Sequence, residues 1–165
     1  MGLDALAQGL DETSLAYVLE AQPVFDLMRR SAAQLAGLMV LAGAGVRAAR
    51  DHPMLALAAA AAAEAGQRLA GIRVPGRAAH HHLHLTRARG LLQTALDAAM
   101  APRRWNVDRL DAILAPLRAA YDELQRATAA LPGFQMVALD QACCACHGGG
   151  PAGRDPASAA AIKGG

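Results

Sequence analysis

The chain has 165 residues, enough for one domain with a core of its own. Hydrophobic residues make up 54% of it and aromatic residues only 3%, so the core has to be built from Ala, Leu, Val and Met, which favours close-packed helices over a sheet. Sixteen Lys and Arg against fourteen Asp and Glu leave a formal charge of +2, and with no basic tract and few rings to stack on bases this argues against a nucleic-acid partner.

In chain order, Thr13 and Ser14 are suited to cap a helix beginning at Leu15, and Pro23 is expected to interrupt or re-cap it. Residues 1–22 are therefore read as an N-terminal helical extension. A long amphipathic helix follows, with Val24, Leu27, Met28, Leu35, Leu38, Met39 and Ala42 at helical spacing. The stretch from Met28, "MRRSAAQLAGLMVLAGAGVRA", has the basic start, apolar centre and small-residue end of a signal peptide, but the amphipathic core helix is the preferred reading. Its apolar part, Leu35 to Val46, is short of the roughly 20 residues that span a bilayer, so no transmembrane helix is expected.

Asp51 and Pro53 mark a stop and restart before an Ala-rich helix that ends near Pro75-Gly76. The next helix, Arg77 to Met100, is expected to turn Leu85, Ala88, Leu92, Ala95 and Ala99 inward. Asn106 can cap the last long helix, whose Val107, Leu110, Leu114, Leu117, Tyr121, Leu124, Thr128 and Leu131 form a heptad seam. Pro116 inside it should kink the helix or lie near a helix start. The fold class is all-α: an antiparallel four-helix bundle over 23–147, with the N-terminal extension before it and a disordered Gly/Ala/Pro tail over 148–165.

The chemistry concentrates in "QACCACHGGG", residues 141–150, which holds all three cysteines. Cys143, Cys146 and His147 spell C-x-x-C-H, in which two thiols can add to haem vinyl groups while the adjacent imidazole ligates iron. Zinc would need a further ligand pair, and a redox dithiol would need a βαβ setting. The second cluster is His80, His81, His82 and His84. Its i, i+3 and i, i+4 spacings allow one metal ion to be held from one helical face, with His81 and His84 as metal candidates, although a solvated first turn explains the same residues. His81 borders the core stripe and could approach a haem edge. Asp108, Asp111, Asp122 and Glu123 read as a solvated face with Arg109 and Arg118, and no catalytic pair is expected. Trp105 reads as a packing plug.

The segment "FQMVALDQACCACH" resembles the C-terminal helix of the cytochrome c prime family and its low-spin, methionine-ligated relatives, and "MRRSAAQLAGLM" is more weakly similar to that family's first helix. The resemblance implies a non-enzymatic, covalently attached haem c on Cys143 and Cys146, with His147 as proximal ligand. Met28 and Met39 are the candidates to cover the other face. It implies electron transfer with a redox partner protein or binding of a small gas ligand, possible homodimers, and a periplasmic location if haem is attached. The alternative is a cytoplasmic helical interaction or metal-binding protein that uses Cys143, Cys144, Cys146 and the histidines for zinc or copper.

Overall fold

The computed structural model describes residues 10–45, 51–101 and 105–136. The C-x-x-C-H residues, Cys144 and the expected tail over 148–165 lie outside the described residues. The described residues form four α-helices, α1 Glu12–Gly43, α2 Pro53–Gly71, α3 Ala79–Met100 and α4 Val107–Ala130, with a 3₁₀ turn at Gly76–Ala78 leading into α3. Each runs antiparallel to the one before it, in the up-down-up-down order that short connections dictate. The hairpins α1/α2 and α3/α4 are the intimate pairs, and α1 meets α4 over a much smaller area. None of the described helices is long and apolar enough to cross a membrane.

Caps set the helix ends. The carboxylate of Asp11 accepts from the Thr13 hydroxyl and from both the backbone N–H and hydroxyl of Ser14, so Asp11, rather than Thr13 or Ser14, is the N-cap of α1. These bonds, that from the Thr13 hydroxyl foremost, hold the Asp11 pKa down at about 2. His52, rather than Asp51, caps α2 by accepting from the Met54 N–H, and Pro53 takes the first helical position. Asn106 caps α4 as expected, accepting from the Arg109 N–H at 3.0 Å. At the end of α3 the orphan carbonyls of Ala98 and Ala99 accept from the Arg109 guanidinium and the Trp105 indole N–H, so Trp105 ties α3 to the start of α4.

Both internal prolines are tolerated without ending their helices. Pro23 withholds a partner from the Leu19 carbonyl and Pro116 from that of Ala112, but Leu19 and Ala112 face solvent, where water replaces the missing N–H. The extension expected over 1–22 is thus, in its described part, the beginning of α1. Tyr17, Val18 and Ala21 are buried in the same core as Val24 and Met28.

The core is aliphatic with small residues at the helix contacts. Ala58, Ala62 and Ala65 of α2 let α1 approach closely enough for the buried Ser31 hydroxyl to donate to the Ala58 carbonyl at 2.7 Å. On α3 the five inward positions expected are all buried. On α4 the stripe is displaced: Ile113, Leu117, Ala120, Glu123, Leu124 and Ala127 are buried, whereas Val107 is 75% exposed and Leu114 and Tyr121 are half-buried. The alanines and Ile113 make a second apolar stripe beside the heptad seam, and this one faces α3.

After α4 the chain reverses at Gly133, whose φ of 108° lies where a side chain is strained. The turn returns Phe134 to the core, where its ring packs edge-on against Phe25 and tilted against His81 at centroid distances of 5.4 and 4.1 Å. Gly133→Ala is expected to lower stability by about 1–2 kcal/mol, the cost of the left-handed conformation. A urea midpoint equal to that of the parent would refute this.

Candidate functional site

Two features stand out, a groove and a histidine cluster. The groove, of about 890 Å³, runs between α1 and α4, which pack far less closely than the partners within each hairpin. Ala32, Ala33 and Ala36 floor one side, Leu114, Leu117 and Tyr121 the other, and Met136 enters from the returning chain. Arg29, Arg30 and Arg118 stand at the rim with Asp26 and Asp122. Arg29 is tied to Asp26 at 3.0 Å, whereas Arg30 and Arg118 make no ion pair among the described residues. The displaced stripe of α4 creates this groove, because Leu114 and Tyr121, expected in the seam, face it instead. Its size falls within the usual range for pockets that bury a small organic ligand, about 300–1,000 Å³.

Neither methionine expected to cover a haem lines this groove. Met28 and Met39 sit on the inner face of α1, at 0% and 5% exposure. The groove is bounded by the neighbouring face of α1 with Asp26, Arg29, Ala33 and Ala36, and its methionine is Met136. Met136 precedes Cys143 by seven residues, a reach of at most about 25 Å for extended chain.

The histidine cluster lies where the start of α3 meets α1 and the end of α4. His81 and His84, expected to share a metal, are drawn to different partners. The Nδ1 of His81 pairs with the Tyr17 hydroxyl at 2.8 Å, with the Phe134 ring over it, and its Nε2 is buried with no hydrogen-bond partner among the described residues. Burial, reinforced by the nearby His82 and His84, lowers the His81 pKa to about 4, and burial pushes that of the Tyr17 phenol up. The pair is therefore neutral at ordinary pH.

His84 turns the other way. Its Nδ1 lies 2.6 Å from the Glu123 carboxylate and its Nε2 lies 3.1 Å from the Nε2 of His80. Glu123 is also held by Arg126, and its hydrogen bond to His84 is the chief reason its pKa is lowered. Glu123 corrects the sequence reading: it belongs not to a solvated face but to the buried stripe of α4, at 7% exposure. Its position between Ala120 and Ala127, at spacings of three and four, was the available signal. Among the described residues no three His, Cys, Asp or Glu side chains form a group placed to hold a metal ion.

Comparison of the chain with protein-family models, with curated proteins and with solved structures found no match.

Proposed function

We propose that the chain is a c-type haem protein that carries electrons or binds a diatomic gas. The observation that carries this reading is the groove, whose chemistry suits a flat apolar ring with acidic edges and which lies within reach of C-x-x-C-H. Alanines leave room for a planar group, the leucines and Met136 supply apolar contact, and Arg30 and Arg118 offer charge for carboxylates. Cys143 and Cys146 would hold the group by thioether bonds and His147 would ligate its iron. The chemistry supplied by bound haem is one-electron exchange and gas ligation, and the bundle excludes water from the ring and sets the polarity around it. Such attachment belongs to the periplasm, where a redox partner or a gas would be met.

The test is the colour of the purified chain after acid-acetone extraction. Covalent haem leaves a red protein; Cys143→Ala or Cys146→Ala should abolish it, and Cys144→Ala should leave it intact. Filling the groove with Ala36→Trp, at a solvent-facing position that spares the core, should cut haem content at least severalfold while far-UV helicity is unchanged. Equal loss from Cys144→Ala would point instead to a three-thiolate zinc or copper(I) site.

A further inference from the structure

We infer that His80 and His84 form a binding site for one divalent first-row metal ion such as Zn²⁺, with Glu123 as the positioning carboxylate. This site is separate from the groove and does not rest on the haem reading.

The argument starts from the tautomer of His84. The Glu123 carboxylate, 2.6 Å from Nδ1, accepts a hydrogen bond, so Nδ1 carries the proton and, in the neutral imidazole, Nε2 presents a lone pair. That lone pair is aimed at the Nε2 of His80, 3.1 Å away. The two nitrogens belong to residues four apart on one face of α3, and the rings meet edge-on at a centroid distance of 4.5 Å. Nitrogens about 2.0–2.1 Å from a common zinc ion lie about 2.9 Å apart at a right angle and about 3.4 Å apart at the tetrahedral angle. The observed separation falls between these limits.

Without metal, a neutral His84 accepts this contact from the His80 Nε2–H. Metal binding needs only that His80 move its proton to Nδ1, and His80 is exposed, so water serves that nitrogen in either tautomer. His84 is buried and already oriented. Its bond to a carboxylate is the arrangement by which proteins fix a metal-ligating imidazole and raise its basicity. Glu123 is in turn fixed by Arg126. The site lies in the first turns of α3, where the helix dipole disfavours a cation, and the Glu123 charge beneath His84 offsets that effect. Two protein nitrogens leave the remaining positions open to solvent or to a further ligand, so the site favours imidazole-seeking metals over the hard ions Mg²⁺ and Ca²⁺.

Zn²⁺ titrated into the full chain beyond what Cys143, Cys144 and Cys146 take up, followed through the ring ¹H–¹⁵N correlations of the histidines, tests this at the imidazoles themselves. The Nε2 signals of His80 and His84 should move along one binding curve, while that of His52 stays put. His80→Ala, at an exposed position, should abolish the His84 response. Glu123→Gln should weaken binding by about 10–100-fold, the usual effect of removing an orienting partner. Unmoved His80 and His84 signals at millimolar Zn²⁺, a His84 response that survives His80→Ala, or equal loss from His82→Ala would overturn the inference.

Discussion

Lowering the pH from 6.5 to 4 should destabilise the bundle by roughly 3 kcal/mol through His81 alone, an amount that follows from its pKa of about 4 against 6.5 for the ordinary imidazole. The sign comes from which state takes up the proton. The folded-state pKa is depressed, so between pH 6.5 and pH 4 the unfolded chain binds a proton that the folded chain refuses. The stabilising contribution is complete above pH 6.5 and is lost as the pH falls towards 4. The cause is chiefly burial: at 1% exposure, with Tyr17 on one nitrogen and Phe134 over the ring, an imidazolium would lack solvent. Urea unfolding at pH 7 and pH 4 checks it, compared with a Tyr17→Phe/His81→Leu chain in which neither the proton site nor the hydroxyl remains. The double variant should lose much less stability on acidification. Parallel pH dependence in the two chains would show that His81 opens to solvent before it titrates.

A comparably large effect is expected from emptying the core, and its size should depend on which side of the bundle is emptied. Leu92→Ala, at a fully enclosed position on α3, should cost about 2–5 kcal/mol, because the surrounding helices relax only partly around the cavity. Leu117→Ala should fall near the lower end of that range, about 2 kcal/mol. Leu117 is buried at 5% exposure, but it forms part of the groove wall, so its removal widens an existing opening instead of creating a dry void. Chemical denaturation of both variants at pH 7 gives the comparison. A Leu117→Ala cost as large as that of Leu92→Ala would mean that something fills the groove in solution, and that would bear directly on what the chain binds there.

The groove and the histidine cluster illustrate different sources of functional geometry. The groove exists because α4 has two adjacent apolar stripes and only one of them is used against α3. The other, with Leu114 and Tyr121, meets a face of α1 made of alanines too small to fill the space. The cluster exists because four histidines in five positions cannot all face one way on a helix. His81 and His84 point inward to different neighbours, and His80 stays at the surface beside His84.

Much of the bundle was readable along the chain. Helix periodicity on α1 and α3, the Asn106 cap and Pro53 at a first helical position are local properties that depend on residues within a turn or two of one another. The fate of Pro23 and Pro116 was less legible, because whether a proline ends a helix depends on whether water can reach the carbonyl four residues back, and the fold decides that. The register of α4 lay further out of reach: Val107, Leu114 and Tyr121 have the larger apolar side chains, yet Ile113, Ala120 and Ala127 face α3, since close approach of two helices rewards small residues over large ones. Glu123 could be placed on the buried stripe by counting, but only the approach of α3 supplies the His84 imidazole and makes a buried carboxylate tolerable. Which histidines meet likewise depends on Tyr17 and Phe134, 64 residues before and 53 residues after His81 in the chain. The C-x-x-C-H motif is complete in the sequence because its spacing is its chemistry. The groove is not written locally anywhere: it is the gap left when two hairpins, each closely packed within itself, come together along faces that do not match.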